Sequence, residues 1–176
     1  MKNKILDNLS YLICTCLGIL NFILLAFPYV AIKIDLGPYG SLKEGVSGYR
    51  IMELFDANFG GVMSALFQVL ILVVGIAMLV WGVLGLLKGF GVLNKFPDKL
   101  GKVDCKKIAE ILLFVFAILV FLLLVFLIVY VASNNADLGA IYGDEMKLVI
   151  SAGVFISLVF SVGSLIAYKL IKKNAN

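Results

Sequence analysis

Residues 111–129 read ILLFVFAILVFLLLVFLIV, a run with no polar side chain and with Ala117 as its only small residue. The apolar stretch extends from Ile108 to Val131, which is long enough to cross the roughly 30 Å hydrocarbon core of a bilayer as a helix. A run of this length is typical of a transmembrane helix and not of a helix in a soluble core. It therefore predicts an integral membrane protein.

Three further apolar runs predict three more spans, at residues 10–32, 62–87 and 148–171. With the run at 108–131 they take up nearly all of the 176 residues, of which 62% are hydrophobic and 15% charged. No room remains for a soluble catalytic domain. We expect an all-α membrane protein, a bundle of four transmembrane helices that forms a single domain over residues 1–176.

The basic residues predict the orientation of these spans. Eleven of them lie in the N-terminal segment, the loop 88–107 and the C-terminal segment, whereas four, Lys33, Lys43, Arg50 and Lys147, lie at the other ends of the spans. Lysine and arginine gather on the cytoplasmic side of membrane proteins. We therefore expect a multi-pass protein of the cell membrane with both termini in the cytoplasm and with external loops at 34–61 and 132–147. Fourteen lysines against one arginine favour a bacterial source.

The cytoplasmic loop 88–107 contains six lysines, for which two interpretations stand. The lysines serve topology alone, or they bind anionic lipid headgroups at about 1 kcal/mol each. The net charge of +4 needs no nucleic acid to explain it.

The first external loop has the pattern of a small folded structure. Residues 30–35 alternate apolar and polar side chains, residues 37–40 read GPYG, and residues 41–46 return as a second strand, so we expect a β-hairpin. Ser47 is then a suitable N-cap for a short amphipathic helix at 49–55, whose apolar side chains we expect to rest on the membrane surface: Ile51, Met52, Leu54 and Phe55. The side chains suited to partner binding are Tyr39, Tyr49, Arg50, Met52 and Phe55.

Four spans with a structured first external loop resemble the layout of the claudins and related animal tetraspan proteins. The claudin loop carries a Gly-Leu-Trp motif and a cysteine pair. Here Trp81 is the only tryptophan and lies in the second span, and the loop has no cysteine. The resemblance covers layout alone and assigns no family.

Small residues form stripes on two spans, at Gly61, Gly75, Gly82 and Gly89 in the second and at Gly153, Ser157, Ser161 and Ser164 in the fourth. In lipid, small residues let helices approach closely, so these stripes are helix-packing seams or, alternatively, the lining of a pore or groove. The third span lacks such a stripe, so we expect it to face lipid or to pack through its phenylalanines.

Three polar residues, Asn21, Gln68 and Ser157, fall at similar depths in the outer half of the predicted bundle. We expect a polar layer in which the two amides are hydrogen-bonded to each other or to Ser157, because an unsatisfied amide in hydrocarbon is costly. The layer is either structural or a binding site that is entered from outside.

The side chains that carry chemistry are scarce. There is no histidine, no carboxylate pair in a span and no metal-ligand spacing, so we predict no catalytic, cofactor-binding or metal-binding residue. Glu110 stands at the cytoplasmic end of the third span, within reach of Lys106 or Lys107. Cys14 and Cys16 lie about 200° apart on a helix and cannot bridge each other, and Cys105 is a loop residue or a modified thiol.

Two functions follow from this pattern. The first is a non-enzymatic protein that acts by association, as a small subunit, scaffold or immunity-type protein, and contacts a partner protein or a second copy through the external loop and the glycine seam. The second is a channel or transporter for a neutral or weakly selected permeant, with a pore lined by the first, second and fourth spans.

Overall fold

The computed structural model describes residues 8–56, 58–93, 97–100, 103–143 and 145–175. The chain is mostly helical, with α1 at Leu9–Leu24, α2 at Phe59–Gly89, α3 at Cys105–Tyr142 and α4 at Ala152–Ala175. The strands of the described residues are β1 (Pro28–Asp35), β2 (Ser41–Ser47), β3 (Lys99–Leu100), β4 (Val103–Asp104) and β5 (Met146–Ile150). Two 3-10 helices, Gly37–Tyr39 and Gly48–Asp56, precede and follow β2.

Three of the described helices are long and apolar enough to cross a membrane, at Phe59–Gly89, Cys105–Tyr142 and Ala152–Lys173. Helix α1 is apolar but has 16 residues, about 24 Å of helix. The predicted first span, 10–32, is therefore wrong at its far end, where residues 28–32 belong to β1. Pro28 lacks the N–H that a helix needs, and the β-branched and aromatic residues after it favour a strand.

The prediction of an external loop at 132–147 is also wrong for most of its length. Residues 132–142 continue α3, which ends where Gly143 adopts a φ of 60°. The N–H of Gly143 donates to the carbonyl of Gly139 at 3.1 Å, as in the common glycine termination of helices. The rest of that loop enters β5, so the fourth helix begins at Ala152 and not at residue 148.

The third span, which was expected to face lipid or to pack through its phenylalanines, does pack partly through them. The ring of Phe126 stacks on that of Phe67, with 5.3 Å between the centroids. Along α3, one face is buried at 109, 113, 116, 120, 123 and 127, with spacings of three and four residues. Large apolar residues such as Leu, Val and Phe can form a buried face as small residues do, because a face depends on spacings of three and four residues and not on side-chain size. The phenylalanines divide between faces: Phe116 is buried, whereas Phe114 and Phe121 are exposed.

The described chain forms two compact units. The terminal unit is built from the described parts of Met1–Phe22, Ile71–Ile118 and Val159–Asn176, and the sheet unit from those of Ile23–Leu70 and Leu119–Leu158. Tyr11, Cys14 and Met78 are among the buried side chains of the terminal unit, and Leu25, Tyr29 and Leu127 are among those of the sheet unit.

The sheet unit contains an antiparallel sheet with the strand order β2-β1-β5. The hairpin prediction is confirmed, because β1 and β2 pair from Pro28 opposite Ser47 to Asp35 opposite Ser41. Sequence reasoning missed β5, which pairs with the other edge of β1 from Val30 opposite Ile150 to Ile34 opposite Met146. The two segments expected to be separate external loops are thus joined in one sheet.

Candidate functional site

One face of the sheet carries a row of three lysines. Lys33 of β1 lies directly opposite Lys43 of β2 and directly opposite Lys147 of β5, so the three side chains project from the same face. All three are exposed. Like charges in directly opposite positions destabilise a sheet, so the facing pair Lys33 and Lys43 raises the free energy of the isolated sheet. A negative partner would lower that free energy.

Apolar side chains are exposed near the free end of the sheet, where Leu42, next to Lys43 in β2, projects from the face opposite the lysines. Tyr39, in the turn between β1 and β2, is 90% exposed, and Leu42 is 60% exposed. A cavity of about 500 Å³ in the sheet unit is lined by Asp35, Leu36, Gly37 and Glu145. The Asp35 carboxylate accepts a hydrogen bond from the N–H of Gly37 at 3.0 Å and so fixes the start of the turn.

The residues expected to bind a partner after the hairpin fall in the 3-10 helix Gly48–Asp56. Tyr49 and Arg50 are exposed there. The side chains of Met52 and Phe55 lie outside the described residues. Ile51, expected on the membrane surface, is instead fully buried. The turn at Gly48, three residues before it, packs closely on Leu25 and Tyr29.

The glycine stripe of α2 meets α1 in the terminal unit. A Cβ added at Gly82 would lie 2.8 Å from the backbone nitrogen of Thr15 and 2.8 Å from the carbonyl oxygen of Tyr11, which is closer than real Cβ atoms come. Gly75 packs on the amide of Asn21, and Gly89 packs on Asn8. The remaining stripe residue, Gly61, is buried at the start of α2, where its N–H donates to the Asn58 side chain at 3.1 Å.

The α4 stripe begins in the sheet unit, against β1. A Cβ added at Gly153 would lie 2.6 Å from the carbonyl oxygen of Pro28. The Ser157 hydroxyl donates to the carbonyl of Gly153 at 3.0 Å, so its 2.9 Å bond with Tyr29 is donated by the tyrosine hydroxyl. The stripe continues with Ser161, which is buried, and Ser164, which is half-buried.

The predicted hydrogen bonds of the polar layer are wrong. Asn21 and Gln68 are buried as expected, but Nδ2 of Asn21 and both polar atoms of the Gln68 amide have no hydrogen-bond partner in the part of the chain that the structure describes. The Asn21 amide packs against Gly75, and the Ser157 hydroxyl is engaged by Tyr29 and Gly153. A buried amide without a partner is costly unless water or a ligand satisfies it.

A second polar cluster, in the terminal unit, joins α3 to α4. The Glu110 carboxylate accepts hydrogen bonds from the Tyr168 hydroxyl at 2.5 Å and from Nζ of Lys172 at 2.7 Å. Glu110 was expected near Lys106 or Lys107, but its ion pair is with Lys172. Beside this cluster lies a groove of about 380 Å³ between α3 and α4, lined by Lys107, Ile111, Phe114, Leu165 and Lys169 among others. We call it the α3–α4 groove.

Part of the loop 88–107 is also paired. Lys88 donates to Asp98 at 2.6 Å, and this hydrogen bond holds the pKa of the Asp98 carboxyl below its usual range. Cys105, which was expected in the loop, is the first residue of α3 and is buried, and its carbonyl accepts a hydrogen bond from the Trp81 indole at 3.1 Å. Within the described residues, no three His, Cys, Asp or Glu side chains are grouped as metal ligands would be.

No family model matches this chain. Comparisons with curated proteins and with solved structures gave no significant match either.

Proposed function

We propose that the chain is a four-span protein of the cell membrane, with both termini in the cytoplasm, that acts by association with a partner protein. Three apolar helices long enough to cross a bilayer support the membrane location. The pairing of β1 with β5 supports the topology, because two strands of one sheet lie on the same side of a membrane. Helices α2 and α3, which separate them in the chain, would then cross in opposite directions.

The assignment of α1 as the first span rests on charge. The eleven basic residues near the termini and in the loop 88–107 can all lie on the same side of the membrane only if α1 also crosses it. Its 16 helical residues are short for a span, so the bilayer would thin locally or the flanking residues would complete the crossing.

The observation that carries the proposed association is the lysine row. Lys33, Lys43 and Lys147 form one band across the sheet, and Tyr39 stands almost fully exposed at its free end. The facing lysines 33 and 43, with an exposed aromatic side chain at the end of the same hairpin, suit an acidic protein surface, which would relieve the repulsion between these two lysines and bury the ring. A small subunit, scaffold or immunity-type protein would use such a surface on the outer side of the membrane.

The association is tested by photo-crosslinking from position 39 in intact membranes. We expect a discrete adduct whose yield falls with added salt, and its mass distinguishes a second copy from a different protein. The Lys33→Gln/Lys43→Gln variant should lose the adduct, because the two facing positive charges that attract the acidic partner are removed. The control variant Lys106→Gln/Lys173→Gln removes the same charge from two exposed lysines of the terminal unit and should keep it. An adduct that persists in the first variant, or none in the wild type, would contradict the proposal.

A channel or transporter is the second candidate, and Gln68 favours it. Its side chain is fully buried, yet both of its polar atoms lack a partner among the described residues. Water or a neutral permeant would satisfy them. Under this candidate the wild type passes small neutral solutes across liposomes, and Gln68→Leu folds but loses the flux. Equal flux from wild type, Gln68→Leu and empty liposomes would exclude it.

A further inference from the structure

The α3–α4 groove combines an apolar wall with a cationic rim. On α3, Lys107, Ile111 and Phe114 recur at spacings of four and three residues, which places them on one face of the helix. On α4, Leu165 and Lys169 are four residues apart on the facing side. Phe114 lies about 10 Å along the helix from Lys107, so the apolar wall runs from the lysines toward the middle of α3.

The charge at the rim is not cancelled within the groove. Its one carboxylate, Glu110, is engaged by Lys172 and Tyr168. Lys107 and Lys169 are exposed, and neither forms an ion pair within the described residues. Together, Lys107, Lys169, Lys172 and Glu110 carry a net charge of +2. The Glu110 contacts also join α3 to α4, so the groove exists before any ligand arrives.

We propose that the α3–α4 groove binds one anionic phospholipid of the membrane. The phosphate lies between the ammonium groups of Lys107 and Lys169, and an acyl chain follows Ile111 and Phe114 toward the middle of the bilayer. A lipid fits both parts of the groove, because its charged headgroup and its apolar chain are joined in the same order as the lysine rim and the apolar wall. A soluble phosphate ester would use the rim and leave the wall exposed.

Native mass spectrometry of the full chain in detergent tests this site by titration with phosphatidylglycerol and with phosphatidylcholine. We expect the wild type to prefer phosphatidylglycerol at least tenfold. The Lys107→Gln/Lys169→Gln variant should bind it about 30-fold more weakly, because each lysine near an anionic headgroup contributes about 1 kcal/mol and 1.4 kcal/mol is a factor of ten. Its affinity for phosphatidylcholine, whose headgroup contains the phosphate but has no net charge, should fall by less.

The control variant Lys106→Gln/Lys173→Gln carries the same net charge but changes no residue that lines the groove, and it should lose threefold at most. An equal loss in both variants would mean that the lipid responds to the general surface charge, which overturns the site. An unchanged affinity in the groove variant overturns it too. Glycerol 3-phosphate at 100-fold excess should leave the lipid bound, and displacement would show that the groove binds a free phosphate ester and not a lipid.

Discussion

Replacement of Gly82 by leucine tests the packing of α2 against α1. The added Cβ would meet two backbone atoms, the nitrogen of Thr15 and the carbonyl oxygen of Tyr11, each at 2.8 Å. Backbone atoms cannot turn away as a side chain can, so the helices must separate. Overpacking by one methyl group typically costs about 1–3 kcal/mol, and a leucine at this position should cost more than about 3 kcal/mol of the free energy of unfolding.

The assay is thermal unfolding of the purified protein in detergent. At about 2–4 °C per kcal/mol for a chain of this size, Gly82→Leu should lower the midpoint by about 6–12 °C or more. Gly163→Leu is the matched control in the same unit, because a Cβ at Gly163 meets nothing within 4 Å. Its midpoint should stay within about 2 °C of the wild type. Close packing of α2 on α1 at Gly82 is refuted if Gly82→Leu is as stable as the wild type or if both variants lose equal stability.

Three further substitutions test single contacts of the sheet unit by the same unfolding measurement. Tyr29→Phe removes the bond to Ser157 and should cost about 0.5–1.5 kcal/mol, and an unchanged midpoint would mean that this bond is absent in solution. The Asn135 side chain accepts a hydrogen bond from the N–H of Leu148 in β5 at 2.6 Å and donates one to the Leu148 carbonyl at 2.8 Å, so Asn135→Ala should cost about 1–3 kcal/mol of the free energy of unfolding. Asn134→Ala loses only a hydrogen bond within α3 and should cost less. A larger cost for Asn134→Ala would contradict the contact between Asn135 and β5. Gln68→Leu should raise the midpoint, because it removes a buried amide that has no partner in the described chain, and a lowered midpoint would reveal a partner.

The sequence predicted the features that depend on local composition. Long apolar runs predict long helices, and the glycine spacing of α2 predicts a face on which another helix comes close. The β1–β2 hairpin followed from alternating residues on both sides of a GPYG turn. These features depend on residues that are close in the sequence and not on contacts with distant segments of the chain.

The features that the sequence did not predict depend on distant partners. Residues 146–150 read MKLVI and extend an apolar run, so only the presence of β1 beside them makes them a strand. The burial of one α3 face depends on where the other helices lie, because an all-apolar helix has no polar face to mark its exposed side. Glu110 pairs with Lys172 and not with Lys106 or Lys107, which are nearer in the sequence. Tyr168 and Lys172 are four residues apart and therefore share the face of α4 that contacts Glu110. That spacing was the signal available in the sequence.

The topology is tested most directly by labelling with a membrane-impermeant thiol reagent. In a chain whose Cys14, Cys16 and Cys105 are replaced by serine, single cysteines are placed ahead of Met1, at Lys43→Cys and at Lys99→Cys. We expect position 43 to be labelled in intact cells, whereas the N-terminal and position-99 cysteines should react only after the membrane is permeabilised. Labelling of position 99 in intact cells with none at position 43 would invert the topology. Labelling of the N-terminal cysteine together with position 43 would show that α1 does not cross the membrane.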